Sequence, residues 1–240
     1  MKIIIPMTGM SKRFKKEGID TPKQFLKINK KMIIDHILDM FPNEEDINFI
    51  VNENELKDKE LADYYDKLSN YNIVKISYQE TGPGGALLES KLLESEEPVL
   101  INYCDFSNIW SWDEFKLFIN ENNPDGVIPA YKGLHPHSIY GNNYAFLKNK
   151  KDQVLDIQEK KPFTSNKMNE YASSGTYYFK SGLIAKKYIE KTFELNKFIN
   201  GEIYISTPYE EMIKDNLDIK LYKISHFFQW GTPEDYNEFV

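Results

Sequence analysis

The chain opens on a run that leaves little freedom in how it can fold. Ile3-Ile4-Ile5-Pro6 is a short apolar segment that empties into the turn-forming stretch Met7-Thr8-Gly9-Met10-Ser11. A continuous apolar run bounded by turn residues is the pattern of a buried strand. A small, Gly-containing loop at the end of such a strand can aim backbone N–H groups at one point, which makes it a site for an anion. Arg13 and Lys23 then place two cations beside that loop. The chain as a whole carries a net charge of −7. Two cations fixed at one strand end of an acidic protein point to a phosphate site more than to a generic basic surface.

The same punctuation recurs downstream. Met32–Met40 carries a helical stripe of Ile33, Ile34, Ile37 and Leu38, closed by Pro42. Ile47–Val51, Ile73–Ser77, Pro98–Asn102 and Gly126–Ala130 read as strands, and Glu53–Lys67, Ala86–Leu93 and Trp112–Asn120 as helices between them. This alternation implies a mostly parallel sheet with helices on both faces, an α/β sandwich of three layers. From Tyr144 the pattern changes: Tyr144–Leu147, Val154–Gln158 and Tyr171–Phe179 read as strands with few helices between them, an antiparallel extension over the open end of the sheet. Leu183–Glu190 and Tyr204–Lys214 read as helices, Leu217–Lys223 as a late strand and Pro233–Phe239 as a closing helix. No repeat or linker divides the chain, so one domain is expected over residues 1–240.

Composition narrows the setting. With 240 residues, 41% of them hydrophobic, a sizeable core is available. The acidic balance argues against a nucleic-acid surface. Cys104 is the only cysteine, so no disulfide can form within the chain. No run approaches the roughly 18 apolar residues of a membrane span. A cytoplasmic protein that meets neither nucleic acid nor membrane is expected.

Ligands of open α/β sheets sit beyond the carboxyl ends of the strands. The first strand delivers Gly9 and Arg13 there, the third delivers Gln79, Glu80 and the Gly82-Pro83-Gly84-Gly85 stretch, and the fourth delivers Asp105. A phosphate loop, a backbone-rich loop and a single acid are the set that holds a nucleoside triphosphate with a hard divalent metal.

At this point a family resemblance appears. Pro6–Phe14 followed by Thr21-Pro22-Lys23 resembles the signature of the sugar-1-phosphate nucleotidyltransferases, enzymes of a Rossmann-like, glycosyltransferase-A-like fold. Further blocks follow in the family's order: Gln79–Ala86, Leu100–Asp105, Val154–Lys160, Ser174–Phe179 and Trp230–Asp235. The resemblance spans almost the whole chain. It implies that Met7, Thr8, Gly9, Met10 and Ser11 hold the triphosphate, with Gln79, Gly84 and Gly85 reading the base. It implies catalytic roles for Arg13, on the departing pyrophosphate, and for Lys23, between the reacting phosphates. Asp105 would hold Mg²⁺. Glu159, Lys160 and Gly175 would receive the phosphorylated acceptor, and Glu202 could line the same pocket. The reaction implied is attack of an acceptor phosphate on the α-phosphorus of a nucleoside triphosphate, with a pyrimidine base and a sugar 1-phosphate favoured, in the supply of precursors for surface polysaccharide. Paired assemblies are common in the family.

Two positions depart from the family pattern. Ser11 stands where a second loop glycine is common, and Gln229 stands where many members carry an Asp as second metal ligand. Glu202 or Asp235 is the candidate substitute for that acid. Other readings stay open: a cytidylyltransferase for a non-sugar phosphate such as phosphocholine, a glycosyltransferase, or a silent nucleotide-binding regulator. His135-Pro136-His137 lacks a third metal ligand nearby and suits an acceptor-contacting loop better than a zinc site. Asp105 as a helix cap, Arg13 and Lys23 as surface cations, and Glu159-Lys160 as a solvated charge pair are the structural alternatives.

Overall fold

The computed structural model describes residues 1–77 and 80–240. Its strands, in chain order, are β1 (Lys2–Met7), β2 (Lys27–Ile28), β3 (Lys31–Met32), β4 (Ile47–Asn52) and β5 (Asn72–Ile76). Then come β6 (Val99–Asn102), β7 (Phe106–Ile109), β8 (Gly126–Lys132), β9 (Ala145–Lys150) and β10 (Gln153–Glu159). The last four are β11 (Tyr171–Ser173), β12 (Thr176–Phe179), β13 (Ile219–Lys223) and β14 (His226–Gln229). Ten of them form one mixed sheet in the order β11-β9-β10-β13-β8-β12-β6-β1-β4-β5. β5, β4, β1 and β6 are parallel neighbours. β12 enters antiparallel between β6 and β8, and β13 runs parallel to β8.

The alternation of side chains along β1 divides the interior in two. Ile3, Ile5 and Met7 enter one core, with Ile33, Ile34 and Ile37 of the helix Ile33–Leu38 and Trp112, Phe115 and Ile119 of the helix Trp112–Asn122. Ile4 enters the other, with Ala86 and Leu87 of the helix Gly82–Ser90, Ala185, Tyr188 and Ile189 of the helix Gly182–Glu194, and Tyr209 and Met212 of the helix Ser206–Lys214. Two cores on the two faces of one sheet make the three-layer α/β/α arrangement.

Some expected boundaries move. Tyr171–Phe179 is two strands rather than one, because Gly175 takes a φ of +74° and breaks the run. The break lets β11 pair with β8 and β9 while β12 pairs with β6 and β8. The sheet therefore curls back on itself through β8, β13, β10, β9 and β11, where every pairing except the parallel β13–β8 is antiparallel. Glu53–Lys67 is a 3₁₀ turn at Glu55–Lys57 and then the helix Lys59–Asp66. Gly82-Pro83-Gly84-Gly85 is not a free loop: it is the first turn of the helix, with Pro near its start where a missing N–H costs nothing. The strand β7, paired with β14, is a small second sheet that the sequence pattern does not announce.

Candidate active site

The carboxyl ends of the parallel strands open into a cavity of about 360 Å³. The end of β1 contributes Thr8, Gly9, Met10 and Ser11, and the short helix Lys12–Lys16 contributes Arg13. The 3₁₀ turn Lys23–Phe25 contributes Lys23, and the end of β6 contributes Tyr103, Cys104 and Asp105. The far wall carries Glu159 and Lys160 from the end of β10, Gly175 from the break between β11 and β12, and Glu202 and Tyr204 from the segment before the helix Ser206–Lys214. A cavity between the two halves of the chain thus brings together residues as far apart in sequence as Gly9 and Gly231.

Its charges alternate. Lys12, Arg13, Lys23 and Lys160 line the cavity together with Glu80, Asp105, Glu159 and Glu202. Lys23 Nζ lies 2.5 Å from Asp105 Oδ2. Burial of the Lys23 amine opposes its charge, but the Asp105 carboxylate outweighs this with the help of its hydrogen bond, and the amine titrates above its ordinary range. Lys23 is therefore held as a cation. Arg13 makes no ion pair among the described residues, so its guanidinium is available to an incoming anion. A Cβ at Gly9 would meet nothing within 4 Å, so the loop leaves bare backbone facing open space.

The wall at the end of β10 is more tightly bonded. Glu159 Oε2 accepts a hydrogen bond from Ser206 Oγ at 2.6 Å. Burial pushes the Glu159 carboxyl up to about 7, against the opposing pull of Ser206 and Lys160. Lys160, with a φ of +57°, turns sharply off the end of β10. Its Nζ donates to Tyr204 Oη at 2.7 Å and lies 4.0 Å from the centroid of the same ring. Burial lowers the Lys160 pKa, and the Glu159 and Glu202 charges offset part of that. Cys104, next to Asp105, is buried, which pushes its thiol up to about 12 and leaves it a protonated packing group rather than a nucleophile.

Several expected site residues sit elsewhere. Met7 does not line the cavity; strand alternation sends its side chain into the core with Ile3 and Ile5. Gly84 and Gly85 are buried in the helix start and do not line it either. The Gly84 N–H donates to the Ile203 carbonyl at 3.0 Å, so it is not open to a base. A Cβ at Gly84 would stand 2.6 Å from Ile203 Cγ2, so packing against that segment is what requires glycine there. Gly175 does line the cavity, but the space above it belongs to Phe106: a Cβ there would fall 2.0 Å from Phe106 Cδ2. Gln79 lies outside the described residues. Of the histidine pair, His135 Nε2 is 2.9 Å from the Phe227 carbonyl oxygen.

Among the described residues no group of three or more His, Cys, Asp or Glu side chains is arranged to hold a metal. Gln229 is buried and outside the cavity, with the Asp235 carboxyl as the polar neighbour of its amide. Asp235 sits in the first turn of the closing helix that Thr232 caps, and its carboxylate accepts from Thr232 Oγ1 at 2.8 Å. Asp105 is thus the carboxylate beside Lys23 at the end of β6. Such a donor set suits Mg²⁺, which is commonly held by one or two carboxylates with substrate phosphates and water completing its shell.

The aromatic wall was not legible. Tyr103, Phe106, Tyr144 and Tyr177 line the cavity, and Tyr103 Oη accepts the N–H of Ile205 at 3.0 Å. Tyr103 and Phe106 flank Asp105 in sequence, which was a usable signal. Tyr144 carries no such signal, being brought in by the pairing of β9 with β10.

Comparison with known proteins agrees with the geometry. The family model described as "Nucleotidyl transferase" matches residues 8–215. The chain belongs to that family, is a nucleotidyltransferase enzyme, and falls with the sugar-1-phosphate nucleotidyltransferases. A D-glycero-alpha-D-manno-heptose 1-phosphate guanylyltransferase of Campylobacter jejuni subsp. jejuni serotype O:2 is 23% identical over 244 residues, covering 100% of this chain and 99% of that protein. The crystal structure of a nucleoside-diphosphate-sugar pyrophosphorylase from Vibrio cholerae RC9 matches with a TM-score of 0.75 at 20% identity, covering 99% of this chain and 98% of that one. A UDP-glucose pyrophosphorylase from Acinetobacter baumannii matches with a TM-score of 0.72 at 16% identity, covering 99% and 90%. No helix among the described residues is long and apolar enough to cross a membrane.

Proposed function

We propose that the protein transfers a nucleoside monophosphate from a nucleoside triphosphate to the phosphate of a sugar 1-phosphate. The observation that carries this reading is the shared cavity, which Arg13, Lys23, Asp105, Glu159 and Lys160 line together. The triphosphate lies along the Gly9–Ser11 backbone. An oxygen of the acceptor's phosphate attacks the α-phosphorus, a P–O bond forms, and the bond from the α-phosphorus to the β-phosphate oxygen breaks. The electron pair leaves with pyrophosphate. The attacking phosphate is already ionised, so no strong general base is needed. Catalysis then rests on alignment and charge neutralisation.

In this reading Arg13 receives the charge that grows on the leaving pyrophosphate. Lys23 lies between the two reacting phosphates, and Asp105 fixes its ammonium. Asp105 would also be the residue that holds Mg²⁺, which when bound neutralises phosphate charge. Glu159 accepts hydrogen bonds from acceptor hydroxyls and Lys160 grips the acceptor phosphate. Residues 1–130 serve the nucleotide and 131–240 the acceptor, within one domain. The pyrimidine preference and the place in surface polysaccharide synthesis rest on the resemblance of the sequence blocks alone.

A pyrophosphate-release assay tests the reading, with CTP, UTP, dTTP, GTP and ATP against a panel of sugar 1-phosphates, phosphocholine and other small phosphates. Release with a sugar 1-phosphate supports it. Release only with a non-sugar phosphate replaces the acceptor class. Nucleotide binding with no release from any pair overturns it.

A further inference from the structure

Ser11 is the one position of the phosphate loop where the chain departs from glycine and yet keeps a glycine-like backbone. Its φ is +50° and its ψ is +34°, a left-handed conformation that side chains other than Gly, Asn and Asp seldom adopt. A strained residue that persists at a functional loop is a reason to ask what the side chain does. Ser11 is also the residue that precedes the helix Lys12–Lys16, where a serine hydroxyl normally bonds the N–H groups of the first turn. Here it caps nothing in its own helix. Its Oγ instead accepts the backbone N–H of Lys23 at 3.1 Å, twelve residues on.

That N–H needs a partner. Lys23 opens the 3₁₀ turn Lys23–Phe25, and the residue before the turn is Pro22, which has no side chain able to cap it. The first N–H groups of a helical turn have no partner within it. Ser11 therefore acts as the cap that Pro22 cannot supply. From the same residue, Lys23 Nζ reaches Asp105 Oδ2 at 2.5 Å. A continuous chain of bonds runs from the phosphate loop, through the Lys23 backbone and side chain, to the carboxylate at the end of β6.

We propose that Ser11 is a positioning residue: its hydroxyl locks the Lys23 turn to the phosphate loop and so keeps the Lys23 ammonium on Asp105. The consequence for catalysis rests on the transfer reading given above; the lock itself does not. A glycine at this position would relieve the backbone and lose the lock, so the serine trades local strain for a fixed cation.

Two variants separate strain from hydrogen bonding. Ser11→Gly removes both the hydroxyl and the strain, and Ser11→Ala removes the hydroxyl alone. The first readout does not depend on turnover: the rate at which acetic anhydride acetylates the Lys23 amine, followed by peptide mass spectrometry, with Lys160 of the same cavity as internal reference. Both variants are expected to acetylate Lys23 several-fold faster relative to Lys160, and Ser11→Gly to keep or raise the melting temperature. The second readout is turnover, in which both variants should lose about 10–100-fold in kcat, the range for losing a residue that orients a catalytic group, with KM for the triphosphate within twofold. Unchanged relative acetylation of Lys23 in both variants overturns the lock. Faster acetylation with unchanged kcat overturns its role in positioning. A wild-type chain that releases no pyrophosphate with any pair overturns the transfer reading, and the acetylation rates then decide the lock by themselves.

Discussion

Gly231 lies against the carboxylate of Asp105: a Cβ built on Gly231 would stand 2.6 Å from Asp105 Oδ2. The same oxygen receives the Lys23 ammonium, and the neighbouring Trp230 N–H donates to the Asp105 carbonyl at 2.9 Å. The closing Trp230-Gly231-Thr232 block thus shapes the acid of the site from behind. Gly231→Ala should push the carboxylate off Lys23 without emptying the cavity. The expected result is a loss of about 10–100-fold in kcat, with a rise in the Mg²⁺ concentration needed for half-maximal rate. Steady-state kinetics across a Mg²⁺ series checks this, and a variant with wild-type Mg²⁺ dependence contradicts the placement.

Lys23 and Arg13 should separate by their effect on stability. If the proposed roles hold, each substitution removes one electrostatic contact with the phosphates, so Arg13→Ala and Lys23→Ala should each lower kcat by about 10²–10³. Lys23→Ala also strands the buried Asp105 carboxylate, which should cost about 1–3 kcal/mol. Arg13 has no ion pair among the described residues, so Arg13→Ala should leave the denaturant midpoint near that of the wild type. Paired urea melts and pyrophosphate-release rates read both. Equal destabilisation by the two substitutions would show that the Lys23–Asp105 pair does not carry the difference.

Part of the charged site is readable from strand ends, because an α/β sheet delivers them to one edge. Arg13 and Asp105 follow from that rule and Lys23 from its closeness to the first loop, whereas Glu159 and Lys160 follow only from the family resemblance. What the rule misses is which face of a residue looks into the crevice. Met7 and Thr8 are adjacent, yet one belongs to the core and the other to the cavity. Long-range packing is equally silent: Gly84 is glycine because Ile203 presses on it from far along the chain. Gly175 read as room for a ligand, whereas its partner is the Phe106 ring.

That last pairing makes Gly175→Ala a test of packing rather than of ligand contact. The new methyl group would enter the Phe106 ring, and the residue would also carry a φ of +74°. The two effects together should destabilise the fold by about 2–5 kcal/mol. Phe106→Ala opens the space, so the double variant should recover stability relative to the sum of the two single ones, a coupling that a double-mutant cycle in urea measures. Additive losses would mean that the two side chains do not compete.

Glu159 should make acceptor binding depend on pH near neutrality. Burial lifts its carboxyl to about 7, from an ordinary value of 4.5. A carboxyl whose folded pKa is raised contributes stability that is present below its unfolded pKa and is lost as pH rises through the folded value. Between about pH 4.5 and 7 the wild type should therefore lose stability relative to Glu159→Gln, whose amide does not titrate. Function runs the other way. The ionised carboxylate is the stronger acceptor of hydrogen bonds from acceptor hydroxyls, so KM for the acceptor should fall as pH rises through 7. The acceptor phosphate titrates nearby, with a second pKa of about 6, and contributes to both proteins alike. The difference between wild type and Glu159→Gln isolates the carboxyl. Urea midpoints at pH 5 and pH 8, with acceptor KM values over the same range, measure both halves, and parallel pH profiles for the two proteins would remove Glu159 from the acceptor site.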